Sequence, residues 1–361
     1  MILQRNYLPC WPLLLFFTVL MAYACKETYD PEIETQEPVI VVDALITNEP
    51  GPYEVKLNLS VAYNSTQSYP AITNATVYVI DQNNHIYYFK EDRPGYYYSA
   101  KADFRGEPGS TYTLYILTVN GQTIVSKPQT MPMDVRIDSV YGVIDEKEYI
   151  YTSGGVYSVK KAKGVQTFAD FSTKTLAEAR IRFSATLVVG YTMIDKSTQP
   201  YPSIVYAWRK ENPLKSFNLT PEGTFVNQQQ IKQYDICFFP VKESFYQLAD
   251  TETITNWFLQ VKPYALTQDA SRFYKALNDQ LAANNQLFDP IAAQVQGNLS
   301  CNNEPQTKVF GFFEVSACSK KSFWVKPLLG DNLAVFASAV DVDSIPEHGK
   351  SIQEPPYFWR F

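Results

Sequence analysis

Between Val39 and Pro132 no apolar run lasts more than a few residues before a turn residue interrupts it. Seven segments alternate apolar and polar side chains at the two-residue period of a half-buried strand: 40–46, 53–59, 75–80, 86–90, 96–101, 112–119 and 122–127. Asn120-Gly121 between the last two is a hairpin signal, because both central positions of a type I′ turn need positive φ. Asp81-Gln82-Asn83-Asn84 marks a looser turn. Short strands that turn every 8–12 residues predict an immunoglobulin-like or transthyretin-like β-sandwich over residues 39–132.

Lys127-Pro-Gln-Thr-Met-Pro-Met133 reads as a linker. Beyond it, strands are expected at 135–144, 156–159, 180–190, 203–208, 234–239, 256–264, 309–315 and 322–325. One good helix interrupts them. Thr267 suits its N-cap, Asp269 suits the positive first turn, and Phe273, Leu277 and Leu281 share a face that suits core packing. Residues 133–361 therefore read as a larger β-rich domain with one or two helices, and the chain as mainly β. Aromatic residues make up 15% of the sequence, with 26 Tyr and 23 Pro, which fits cross-strand ring pairs and many turns.

Ahead of the sandwich stands "LLLFFTVLMAYACKETYDPE". Arg5 is the only charge in the first 24 residues, and residues 11–21 are almost wholly apolar. That run is about a dozen residues, short of the roughly 20 of a spanning helix. Ala22 and Ala24 sit at −3 and −1 from Cys25, so residues 1–24 read as a signal peptide. Ala-Tyr-Ala is an ordinary cleavage site, which would leave a plain thiol at Cys25. It is also a loose lipobox, after which Cys25 is acylated. A cysteine at +1 is uncommon by chance, and that favours lipidation of Cys25. Residues 25–38 carry charge and proline without apolar periodicity, as a solvated tether does. Lys26 and Glu27 directly after the cysteine form a candidate export signal for the cell surface.

The net charge of −6 becomes −7 once Arg5 leaves with the signal. No basic run offsets it, which argues against a nucleic-acid partner. The chain has two histidines, His85 and His348, too few and too far apart for a zinc site or a triad. No nucleophile elbow, phosphate loop, dinucleotide fingerprint or EF-hand loop is present. Asp341-Val-Asp343 is too sparse for a calcium site. A hydrolase would need two carboxylates about 5–9 Å apart in a cleft, and nothing singles out a pair. No catalytic residue, metal or cofactor is expected.

Without Cys10 and Cys25, three cysteines remain: Cys237, Cys301 and Cys318. A disulfide among them is a candidate with its pairing open. If residues 294–300 and 308–317 form one hairpin, Cys301 sits near the turn and Cys318 at the far end. Roughly 30 Å of strand then separates them.

The C-terminal half carries a resemblance. "FLQVKPYALTQDASRFYKALNDQ" leads into "LFDPIAAQVQGNLSCNNEPQTKVFGFFEVSA", and the chain closes on "HGKSIQEPPYFWRF". These stretches resemble the Bacteroidota domain-of-unknown-function family 4249. The motif positions here are Phe288, Pro290, Gly297, Asn298, Gly311, Phe312, Phe313, Pro356, Phe358 and Trp359. "PVIVVDALITNEPGPYEVKLNLS" fits the same family near the N-terminus, so the resemblance spans nearly all of the mature chain. The usual C-terminal cysteine pair of the family is missing. Read physically, Gly297 and Gly311 are backbone positions that need positive φ or close approach. Phe358 and Trp359 read as an aromatic plug that pins the chain end. Asp138-Ser139-Val140 and Asp343-Ser344-Ile345 fit a Bacteroidota O-glycosylation pattern, which makes Ser139 and Ser344 candidates.

The resemblance implies an outer-membrane lipoprotein that acts beside a TonB-dependent transporter barrel, and the likeness of Lys26 and Glu27 to the export tags of Bacteroidota surface lipoproteins adds the expectation that it faces the cell exterior. It implies no catalytic residues. A non-enzymatic companion in ligand capture or uptake is the leading expectation. A carbohydrate-binding or adhesion lipoprotein, suggested by the tyrosines, is the alternative.

Overall fold

The computed structural model describes residues 37–327 apart from 63–64, 66, 101–103, 154–155, 173–179, 196–202, 212, 214–217, 221–229, 241–251 and 283–294, together with 333–336 and 349–351. The chain is mainly β, with one helix among the described residues. Residues 1–36, which hold Cys25, Lys26 and Glu27, lie outside them. So do Phe288, Pro290, Ser344, Pro356, Phe358 and Trp359.

The N-terminal strands are β1 (Ile40–Thr47), β2 (Glu54–Leu59), β3 (Thr76–Asp81), β4 (Ile86–Arg93), β5 (Tyr96–Ser99), β6 (Thr111–Leu117), β7 (Thr123–Ser126) and β8 (Gln129–Thr130). Antiparallel pairing runs from β1 to β2, β5, β4, β3 and β6, and β6 then holds both β7 and β8. Alternate residues point inward, so Val42, Leu57, Val79, Leu114 and Ile116 are fully buried in one core. Each such side chain contributes about 1.5–3 kcal/mol of burial.

The turn at Asn120-Gly121 exists, but not as type I′. Only Gly121 has positive φ, at 84°, and Gly121 N–H donates to the Thr118 carbonyl at 3.0 Å. That is a type I turn closed by a glycine bulge, which also matches the strand twist.

The chain continues through β9 (Arg136–Ser153), β10 (Val156–Ser172), β11 (Ile181–Asp195), β12 (Ser203–Glu211), β13 (Asn218–Leu219), β14 (Gln230–Pro240) and β15 (Glu252–Ala265). After helix α1 (Gln268–Ala282) come β16 (Leu299–Cys301), β17 (Val309–Cys318), β18 (Lys321–Pro327), β19 (Leu333–Phe336) and β20 (Gly349–Ser351). Strands β9, β10 and β14 form a separate three-stranded sheet. The β9–β10 hairpin is far longer than the sequence suggested. Beyond Gly164, opposite Pro240, no described strand flanks it. There the charged run Lys160-Lys161-Ala162-Lys163 has no buried face to impose apolar alternation, so the strand left no periodic signature.

The hairpin of 294–300 with 308–317, considered above as a condition on the cysteines, is not found among the described residues. β16 pairs with β7, and β17 pairs in parallel with β1 over eight residues, from Ile40↔Val309 to Thr47↔Ser316. β17 also meets β15 at Tyr264↔Cys318, and β15 pairs with β11 and β18. Segments 39–132 and 133–361 thus exchange strands, and Pro38–Val61 with Ser65–Phe361 make one compact unit. One core cluster takes Val42 and Leu57 from the first segment and Phe183, Phe313 and Phe323 from the second. The other unit, Met1–Glu37 with Ala62–Asn64, falls almost wholly outside the described residues.

Helix α1 begins where its cap dictates. Thr267 Oγ1 accepts from Ala270 N–H at 3.2 Å, and Ser271 N–H bonds the Thr267 carbonyl at 3.0 Å. Its packing against described residues is concentrated in the first two turns. Ala270 and Phe273 join Leu266 and Phe312, whereas Leu281 is 66% exposed. The apolar stripe reads as one face, and among the described residues its N-terminal half is the part that finds a partner.

Candidate functional site

Strand β17 brings together the motif residues that the structure describes. Three backbone segments stack at Gly297, Gly311 and Val42. A Cβ on Gly297 would lie 1.8 Å from the Gly311 oxygen, and one on Gly311 would lie 1.8 Å from the Val42 oxygen. Gly311 also adopts φ of 96°, which a side chain rarely tolerates. Gly297 needs the close approach alone.

Asn298, next to this contact, is 3% exposed. Its Nδ2 donates to the Phe313 carbonyl at 2.9 Å, and its Oδ1 accepts from Phe313 N–H at 2.9 Å. Its own carbonyl accepts from Lys127 N–H at 2.7 Å. A side-chain amide has the donor–acceptor pair of a backbone peptide, so Asn298 replaces a missing strand neighbour of β17. Phe313 is fully buried in the main core. Phe312 points the other way and stacks on Phe273 of α1, with centroids 4.8 Å apart.

The next residue, Glu314, is 2% exposed and anchors a charged cluster. Arg182 of β11 donates to its two oxygens at 2.9 and 3.0 Å. The Tyr274 hydroxyl bonds Oε2, and Ser316 Oγ bonds Oε1 at 2.6 Å. The Arg182 guanidinium lies 4.2 Å from the Tyr264 ring centre and 4.7 Å from that of Tyr274. Burial works against the Arg182 charge, but Glu314 more than compensates and raises its pKa. Burial raises the Tyr264 pKa, and burial with the Glu314 carboxylate raises that of Tyr274. The Glu314 oxygens are fully engaged, so this cluster is built to hold strands together rather than to move protons. Sequence reading missed it, although one signal was available. Glu314 is the lone charge in "VFGFFEVSAC", and a charge inside a buried strand must be paired.

Beside the contact of Gly297 with Gly311, a shallow groove of about 640 Å³ lies between β16 and the start of β17. Gly297, Ser300, Cys301, Asn302, Thr307 and Lys308 are among its lining residues.

The three cysteines are free and buried, so the candidate disulfide is corrected. Cys237 sits on β14, Cys301 ends β16 and Cys318 ends β17, each on a separate strand. Burial pushes the Cys237 and Cys318 thiols up to about 12. Ser139 is half-buried in β9, and its hydroxyl donates to Asp170 Oδ2 at 3.0 Å. No group of three His, Cys, Asp or Glu side chains able to hold a metal occurs among the described residues.

A mainly β protein in which Gly297 and Asn298 fasten onto β17 at Gly311 and Phe313 is the class this geometry defines. The model of the family described as Domain of unknown function (DUF4249) matches residues 26–322, and the chain belongs to that family. No curated protein and no solved structure matches the chain.

Proposed function

We propose that this protein is a non-enzymatic outer-membrane lipoprotein, acylated at Cys25 and exposed at the cell surface beside a TonB-dependent transporter. The observation that carries the reading is the apolar run that ends on Ala22-Tyr23-Ala24-Cys25 and changes at once to charge. Two or more acyl chains on Cys25 give stable anchoring, where one gives only marginal binding. The 13 residues of 26–38 can span roughly 40 Å when extended, enough to hold the body clear of the headgroups. The entry of the body suits a tether, because Val39 is fastened on both sides of its peptide. Ser60 N–H donates to the Val39 carbonyl at 2.8 Å, and Val39 N–H donates to Ser60 Oγ at 2.9 Å.

Metabolic labelling with a palmitate analogue tests the anchor, and pull-down from solubilised outer membranes tests the partnership. Label on the wild type, none on Cys25→Ser and a co-purifying β-barrel are expected. An unlabelled, soluble, cleaved protein would overturn the anchor, and recovery of no barrel would overturn the partnership. Replacing Lys26 and Glu27 with Ala should leave the protein anchored but less accessible to protease on whole cells.

A carbohydrate-binding or adhesion role draws on one observation. Tyr88, Tyr78 and Tyr115 stand abreast on β4, β3 and β6, and Tyr88 is 60% exposed. Tyr78 and Tyr115 stack at 5.2 Å with 5° between their planes, so much of their ring faces is spent on each other. A glycan array separates the two roles. Binding to a glycan that is lost in Tyr88→Ala would favour the second.

A further inference from the structure

We propose that β1 is a mechanical clamp, through which load arriving along the N-terminal tether passes in shear into β17. Its use in the cell rests on the anchored reading above, but the clamp itself is a property of the fold. β1 lies between β2 and β17, and its pairing with β17 is parallel and unbroken over eight residues. In a parallel pair the two strands start at the same end. The start of β1 is therefore beside the start of β17, near residue 308, and the end of β17 near residue 320 lies at the opposite end. A force between residues 37 and 320 runs along both strands and loads every rung together. A force between residues 37 and 308 acts at one end and opens the rungs one after another.

Other contacts keep the ladder from yielding early. The inward residues Ile40, Val42, Ala44 and Ile46 are all buried, so sliding β1 by one residue would turn them to the wrong face. The clip between Val39 and Ser60 resists fraying at the loaded end. β17 cannot simply follow β1 when it is pulled. Asn298 fastens it at Phe313, Arg182 fastens it at Glu314, and β15 holds it at Ala317 and Cys318. The sequence crosses from residue 47 to residue 309 to make this pairing, so β1 is held by the C-terminal half of the chain.

The test uses the full chain in two attachment geometries, with a bio-orthogonal handle at residue 37 and a second at either residue 320 or residue 308. Single-molecule force spectroscopy at one loading rate then compares them. A rupture force several-fold higher in the 37/320 geometry than in the 37/308 geometry is expected. Equal forces, or a weaker 37/320 geometry, would overturn the clamp. Loss of acyl label at Cys25 would overturn the anchored reading and leave both forces unchanged, so the two failures are distinguishable.

Discussion

The side-chain amide of Asn298 takes both backbone hydrogen bonds of Phe313, each at 2.9 Å, inside the protein. β15, which pairs with β17 besides β1, reaches it only at Ala317 and Cys318, so no second described strand competes for those groups. Asn298→Ala leaves a buried N–H and a buried carbonyl unpaired. An unsatisfied buried group costs about 1–3 kcal/mol. The variant should lose roughly 2–6 kcal/mol of stability, read as a lower urea midpoint with an unchanged slope. Asn298→Asp should fare no better, because a carboxylate cannot donate to the Phe313 carbonyl. Wild-type midpoints for both would mean that the amide is not needed.

The glycines separate two causes of the same conformation. Gly121 and Gly311 both have positive φ, but a Cβ on Gly121 meets nothing within 4 Å. Gly121→Ala should cost only the left-handed penalty of about 1–2 kcal/mol. Gly311→Ala meets the Val42 oxygen as well and should fail to fold or lose most of its stability. Gly297→Ala, with ordinary φ and a clash against Gly311, isolates the packing cost. Thermal melting of the three variants ranks them. Equal losses at Gly121 and Gly311 would mean that the backbone contact is relaxed at little cost.

Which parts of this fold were legible in sequence follows from where each signal is stored. Ile40, Val42, Ala44 and Ile46 alternate because one face of β1 is buried, and local pattern reports that directly. Thr267 announces its helix for the same reason, since the cap and its donors are three residues apart. The partner of β1 is another matter. Nothing near residue 44 specifies Phe313, because register between distant strands is fixed by mutual burial and not by local spacing. Leu299 and Val309 suggested a hairpin by proximity, yet each pairs with a strand far away in sequence, at Ser126 and Ile40. Arg182 and Glu314, 132 residues apart, were invisible as a pair.

The buried thiols make alkaline stability informative. Cys237 and Cys318 rise from an ordinary 9.0 to about 12 in the folded chain, chiefly through burial. Below pH 9 both states hold these protons, so nothing changes there. Above it the unfolded chain releases them while the folded chain keeps them, and stability falls as pH rises toward about 12. Each thiol contributes a slope of up to about 1.4 kcal/mol per pH unit. Urea unfolding under reducing conditions should show this decline, and Cys237→Ala or Cys318→Ala should flatten it. An unchanged slope in both variants would show that the thiols ionise alike in the two states.

The same burial predicts reactivity. In a chain without residues 1–24 and with Cys25→Ser, a thiol reagent should leave Cys237, Cys301 and Cys318 unmodified in the native protein and label all three in urea. Mass spectrometry of the intact chain counts the adducts. Rapid native labelling of Cys301 would mean that the groove beside it admits the reagent to the sulfur.

The ion pair of Arg182 and Glu314 allows the sharpest test of what β17 is worth. Removing one partner strands a charge inside the protein, which costs about 3–5 kcal/mol in comparable buried pairs. Among the described residues, Arg182→Met leaves Glu314 with Tyr274 and Ser316 as side-chain donors. Glu314→Leu leaves the guanidinium against two aromatic rings, which offset part of the loss. The double variant Arg182→Met with Glu314→Leu buries no charge and should be more stable than the sum of the single losses implies. Residues in direct contact couple by about 0.5–3 kcal/mol, so a double-mutant cycle in urea should show a term of that size. Additive losses would mean that the two charges stabilise β17 separately. The Tyr274 hydroxyl would then be the group that holds Glu314, and Tyr274→Phe should reproduce most of the cost of Arg182→Met.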